Sequence, residues 1–243
     1  MIRKILQPFY TAYVIFVFVA TLFIVLPFYL LLSIPNNKHC RKGMWMVSRA
    51  WARIWLWLNG MPVKVYGSIP RQGKYVVVAN HVSYLDPIVI FDVLPWYFRP
   101  LAKKELSKAP LFGFIYGQMA LMVDRSSAHS RAKSMRLMWR ALRHECSIFL
   151  YPEGTFNETD EPMIAFYDGA FRLAINAQVP ILPVIFPDTK KRWHYSHWWK
   201  ISPGKNRAFI MDPIPVAGLT DKDIEMLKHK VRNMMSERIS SIS

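Results

Sequence analysis

The segment Asn80-His81-Val82-Ser83-Tyr84-Leu85-Asp86-Pro87 sets an imidazole five residues ahead of a carboxylate. A carboxylate that accepts a hydrogen bond from one ring nitrogen fixes the histidine tautomer and leaves the other nitrogen to take a proton from a nucleophile. The same pair would also arise as a loop histidine beside a helix-capping aspartate, so the spacing alone leaves both readings open. Three further blocks stand out, two of them carrying reactive or charged groups. Lys103 and Lys104 follow one apolar run and Arg125 another, cations suited to a phosphate or, equally, to an ordinary surface. Phe149-Leu150-Tyr151-Pro152-Glu153-Gly154-Thr155 leads an apolar run into a carboxylate able to accept from a substrate hydroxyl. It adds a glycine that permits close backbone approach and a second hydroxyl. Val179-Pro180-Ile181-Leu182-Pro183-Val184 has two prolines three apart, which predicts an edge strand or a groove wall.

These blocks need a scaffold, and residues 61–243 read as one α/β domain. Short apolar runs at 75–78, 120–123, 147–150 and 181–186 predict strands, and residues 131–145, 169–178 and 221–239 have helical periodicity. Their alternation predicts a mixed sheet flanked by helices, with ligands at the carboxyl ends of the strands. Met135, Met138 and Leu142 form the apolar side of one amphipathic helix, to which no chemistry is assigned.

Residues 1–60 read differently, as a membrane anchor. Residues 5–37 contain no Asp, Glu, Lys or Arg. As a helix, the apolar core at 9–34 would extend ~39 Å, more than the ~30 Å of a bilayer's hydrocarbon. Pro27 predicts a kink near its far end. Residues 44–60 place Arg49 and Arg53 on one helical face among Trp45, Trp51, Trp55 and Trp57, a pattern suited to head groups. A single span and a helical hairpin dipping into one leaflet are both open, because Arg3 and Lys4 precede the apolar run while Lys38, Arg41 and Lys42 follow it.

The composition is 52% apolar and 14% aromatic, which excludes disorder, and two cysteines exclude a disulfide scaffold. The net charge of +16 asks for an anionic partner but does not choose among lipid, nucleic acid and acidic cofactor. Residues 1–60 carry seven basic and no acidic side chains; the remainder carries 25 basic against 16 acidic. Lys190-Lys191-Arg192-Trp193 and Trp198-Trp199-Lys200 interleave indoles with cations, which beside a membrane anchor reads as contact with the bilayer surface rather than base stacking. Ordinary solvated loops are the alternative.

In order and spacing, the four blocks resemble the glycerolipid acyltransferases, specifically the 1-acylglycerol-3-phosphate acyltransferases. That family shares an Asn-His-x4-Asp block, a Gly-rich stretch ending in Arg, a Phe-Pro-Glu-Gly-Thr-Arg block and a Val-Pro-x-x-Pro-Val block. The resemblance spans residues 74–184. It implies a glycerol-3-phosphate acyltransferase-like fold with His81 as general base and Asp86 as its orienting partner. Arg125, Glu153, Gly154 and Thr155 match acceptor-binding positions, and Lys104 is added to them on its charge. The implied reaction moves an acyl group from acyl-CoA or acyl-carrier protein to the hydroxyl of lysophosphatidic acid, giving phosphatidic acid. It needs no metal, cofactor or covalent acyl-enzyme, and it places the catalytic domain on the cytoplasmic face of a membrane, with membrane lipids and no nucleic acid as partners. Phe156 stands where the family has Arg, which motivates a second reading with another lysophospholipid or an aminolipid as acceptor. A non-enzymatic basic membrane-binding protein is the third.

Overall fold

A computed structural model describes residues 2–35, 37–109, 112–124 and 127–242. In chain order its elements are α1 (Ile2–Ser33), α2 (Lys38–Leu58), β1 (Val63–Tyr66), β2 (Val76–Ala79), α3 (Asp86–Val93), β3 (Phe98–Lys103), α4 (Phe112–Met119) and β4 (Leu121–Val123). There follow α5 (Ala128–His144), β5 (Ser147–Leu150), α6 (Gly169–Ala177), β6 (Ile181–Ile185), α7 (Thr189–Arg192), β7 (Asn206–Ile210) and α8 (Ile224–Ile242). They gather into two compact units, each assembled from separated stretches. The first comprises Met1–Tyr66, Val82–Trp96 and Phe186–Ala208; the second comprises Gly67–His81, Tyr97–Ile185 and Phe209–Ser243.

In the first unit α1 and α2 form an antiparallel pair. Asn37 starts α2 by accepting the His39 and Cys40 amides at 2.9 and 3.0 Å, which satisfies two of the donors a helix start leaves over. Along the pair the Tyr10 hydroxyl donates to Asn59 O, the Trp51 indole donates to Thr21 Oγ1, and Phe18 meets Trp51 and Trp55 edge-on. Two of the four indoles expected at a lipid interface, Trp45 and Trp55, are therefore buried within the unit. Trp57 is exposed, and Arg53 is ion-paired to Asp92 at 2.7 Å. Phe9, Phe16 and Phe23, seven residues apart, are all more than 60% exposed, so one stripe of α1 is largely uncovered by the described residues. By length and composition Leu6–Ser33 is apolar enough to cross a membrane.

Asp188 braces the 186–208 stretch of this unit. It accepts the Arg207 backbone amide and both arms of its guanidinium at 2.8–2.9 Å. Burial raises the Asp188 pKa, but the Arg207 hydrogen bonds outweigh it and hold the carboxyl below its ordinary range. A carboxyl lowered in the folded state stabilises above its unfolded pKa, and that contribution is lost as pH falls through the folded value. Asp188→Asn is expected to cost about 2 kcal/mol at neutral pH. In thermal melts its Tm deficit should shrink on acidification.

The second unit contains a sheet in the order β7-β6-β2-β5-β3-β4. The last five of these strands run parallel; the end of β7 is antiparallel to β6, with Val184 opposite Ile210. Its central strand β2 is Val-Val-Val-Ala, buried at every position, the continuous apolar run of a parallel strand covered on both faces. Helix α5 packs on β4 and β5, α6 on β2, and α8 on β6 and α6. This is the mixed sheet flanked by helices that the sequence predicts. Pro180 before β6 and Pro183 within it do not make it an edge: it lies between β2 and β7, fully buried. The Pro183 carbonyl accepts the Met211 amide at 3.0 Å, so the missing N–H forfeits one rung at the end of that ladder.

Candidate active site

In the second unit the chain leaves β2 at its carboxyl end through Asn80 and His81, and leaves the adjacent parallel strand β5 through Tyr151, Pro152 and Glu153. Parallel neighbours deliver both segments to the same edge of the sheet. There His81 is held by its backbone on both sides. Its N–H donates to Glu153 Oε1 at 2.9 Å, and its carbonyl accepts the Asn157 amide at 2.8 Å. The other Glu153 oxygen accepts the Ile164 amide at 3.1 Å. Glu153 is only 1% exposed, so a substrate hydroxyl would compete with two main-chain donors for this carboxylate.

The His81 ring is gripped as well. It stacks on Tyr151 with centroids 3.8 Å apart and planes 8° from parallel, and Phe156 closes on it at 4.2 Å. Tyr151 meets Phe149 edge-on, and Phe149 meets Phe98 in the same way in the sheet core. A file of aromatic side chains thus runs from buried strands to the imidazole, which fixes its plane by packing. Gly154 makes the bend after Glu153 possible: it has φ +72, where a side chain would be strained, and its amide returns to Tyr151 O at 3.1 Å.

Asp86 lies in the first unit and is fully buried. One of its oxygens, Oδ2, accepts the amides of Val82 and Ser83, both at 2.8 Å, which closes the turn that opens α3. Acidic charge in this first turn also suits the helix dipole. Ser83 is buried; its hydroxyl donates to Trp193 O at 2.5 Å and accepts the Leu85 amide at 3.0 Å.

The structure does not bring every candidate to His81 by a direct bond. Lys104 is exposed in a short 3-10 turn, with its ammonium 3.4 Å from Asp124. Thr155 is exposed beside Gly154. Arg125 lies outside the described residues. Nothing in the sequence singles out Tyr151 or Asn157. Both flank the Pro-Glu-Gly block, but nothing in a tyrosine or asparagine beside a motif says that it grips a histidine.

Residues 62–187 match the Acyltransferase family model. The human 1-acyl-sn-glycerol-3-phosphate acyltransferase alpha is 32% identical over 193 residues, covering 77% of this chain and 67% of that protein. The Haemophilus influenzae 1-acyl-sn-glycerol-3-phosphate acyltransferase is 30% identical over 186 residues, covering 74% and 76%. The chain thus spans about two thirds of the human relative's length and about three quarters of the bacterial one's. In fold it is similar to the crystal structure of the 1-acyl-sn-glycerophosphate (LPA) acyltransferase from Thermotoga maritima, with a TM-score of 0.73, 23% identity, and 99% of this chain and 96% of that one covered. A family match over residues 62–187, joined to relatives of this identity and coverage, shows that the chain belongs to the Acyltransferase family.

Proposed function

We propose that this acyltransferase moves a fatty acyl group from a thioester, acyl-CoA or acyl-carrier protein, to the free hydroxyl of 1-acylglycerol 3-phosphate, giving phosphatidic acid. The observation that carries the reading is the fixed position of His81 at the carboxyl edge of a parallel sheet, its backbone bonded to Glu153 and Asn157 and its imidazole stacked on Tyr151. His81 takes the hydroxyl proton as the alcohol oxygen attacks the thioester carbonyl. The tetrahedral intermediate then expels the thiolate, which leaves with that proton as the free thiol. Asp86, five residues on, is assigned as the orienting partner on the resemblance of this motif to the family's Asn-His-x4-Asp block.

Such a transfer calls for no metal or cofactor, because the thioester is already activated and the histidine supplies the base. It calls for no covalent acyl-enzyme either. Cys146 is buried, and burial first, then the neighbouring Glu145, pushes its thiol up to about 12, far from a usable thiolate. Lysophosphatidic acid and its product partition into lipid. We therefore place α1 in a membrane and the catalytic domain on its cytoplasmic face, where the acyl donor arrives.

Arg125 is assigned to the acceptor phosphate, with Thr155 and Lys104 as further contacts. Arg125→Ala is expected to raise the acceptor KM about tenfold or more, as loss of a charge-assisted phosphate contact would, with little change in the response to acyl donor. Steady-state kinetics with each substrate varied in turn checks this; an unchanged acceptor KM removes Arg125 from the phosphate site. Phe156 supports the second reading, another lysophospholipid or an aminolipid acceptor. Its ring lies on His81, and it offers no cation where the family has one. The deciding experiment is an acyl-transfer assay of the purified protein over a panel of lysolipid acceptors with both donor types. Preference for lysophosphatidic acid supports the first reading, and preference for another lysophospholipid or an aminolipid supports the second.

A further inference from the structure

Within the first unit, residues 193–201 leave the fold and return at one point. Trp193 and Ile201 face each other in an antiparallel bridge. Inside the excursion the His197 amide donates to His194 O, the Lys200 amide to His197 O, and the Trp193 indole to Trp198 O. A loop so internally bonded has a fixed shape, yet it carries Trp198 and Trp199 at its tip, 57% and 49% exposed, edge to face. Lys191 and Lys200 beside them are exposed too. Exposing two adjacent indoles on an ordered loop is costly in water and favourable where a bilayer meets water, and the flanking cations select an anionic lipid surface.

Two sets of contacts give this loop a place. On one side the Thr11 hydroxyl of α1 donates to Trp199 O at 2.8 Å and accepts the Ile201 amide at 3.3 Å, joining the loop to the start of the membrane-seeking helix. On the other, Ser83 Oγ donates to Trp193 O, Ser83 bridges His194, and the Tyr84 ring packs on Trp193 at 5.7 Å. The loop therefore joins α1 to the turn that Asp86 closes. The geometry points to a function beyond anchoring: residues 193–201 are a lipid-surface sensor. Trp198 and Trp199 sit among the head groups, and their insertion sets the height of the Val82–Asp86 turn above the membrane from which the acceptor comes.

The test uses the full chain reconstituted in vesicles of phosphatidylcholine and phosphatidylglycerol. The emission lost on Trp198→Phe/Trp199→Phe reports these two indoles. It should be quenched by lipids brominated near the head group and shielded from aqueous iodide. The opposite pattern overturns the proposal, as does a response of this emission to a single-stranded oligonucleotide but not to vesicles. This arm needs no turnover, so it stands even if the acyl-transfer reading fails. The kinetic arm rests on that reading. Trp198→Ala/Trp199→Ala should raise the KM for acceptor embedded in anionic vesicles about tenfold and leave transfer to a short-chain, water-soluble lysophosphatidate within about twofold. Equal loss on both substrates makes the loop merely structural and overturns the proposal. Thr11→Val, which cuts the tie to α1, should reproduce the vesicle-specific KM effect.

Discussion

Replacing His81 with alanine is expected to lower acyl transfer by about 10²–10⁴-fold, the share of rate a positioned base supplies. The loss should fall on kcat, with the acceptor KM little changed, because the imidazole acts on the proton in flight and not on the bound lipid. Membrane association should persist, since the exposed stripe of α1 owes its character to its own Phe and Leu residues. Alanine also removes a ring that stacks on Tyr151 and touches Phe156, and that packing is worth about 1 kcal/mol. His81→Phe separates the two effects. It keeps an aromatic plane on Tyr151 but has no proton acceptor, so it should melt close to the wild type and be as inactive as the alanine variant. Near-full activity in either variant would remove His81 as the base.

The scaffold of this site is legible in the sequence where one kind of residue does one job. Strands β2, β5 and β6 are nearly uninterrupted apolar runs, and burial on both faces is what such runs mean. Strand β3 is hidden because Arg99, Pro100 and Lys103 break its pattern; Arg99 reaches back to the carbonyls of Met119 and Ala120, a satisfied position that no local window reveals. Helix α5 starts at Ala128, earlier than the apolar spacing suggests, because Ser127 caps it by accepting the Ser130 amide. The internal position of β6 was illegible for a different reason. A proline costs a sheet something only where its N–H would have donated, and that depends on the partner strand.

The chemistry is legible in outline and not in its supports. Four blocks in order identify the imidazole and the carboxylates, but residue type does not say whom a carboxylate serves. Glu153 meets the His81 amide across 72 residues of chain, and Thr11 meets Trp199 across 188. Such contacts are products of the fold. The interleaved indoles show the same limit: composition treats Trp45, Trp55, Trp57, Trp198 and Trp199 alike, yet the fold buries the first two and exposes the other three.

Glu153 is where the two possible roles of a motif carboxylate give opposite kinetics. As an acceptor ligand, its loss would raise the acceptor KM. As the tether the structure shows, its loss should leave that KM within about twofold and lower kcat by about 10–100-fold, because a displacement of roughly 1 Å at a catalytic group is enough for such a fall. Glu153→Ala takes the acceptor away from two part-buried amides, those of His81 and Ile164, at about 1 kcal/mol or more each. Its Tm should therefore drop well below that of His81→Phe. Glu153→Gln is the finer probe. It keeps the shape and one oxygen, but it turns an NH2 toward one of two N–H donors, so donor faces donor on one side. Its kcat should fall between the wild type and the alanine variant, in step with Tm and with acceptor KM unmoved. A glutamine variant with normal kcat, normal Tm and a raised acceptor KM would mean instead that the carboxylate works on the substrate, and that His81 keeps its place without it.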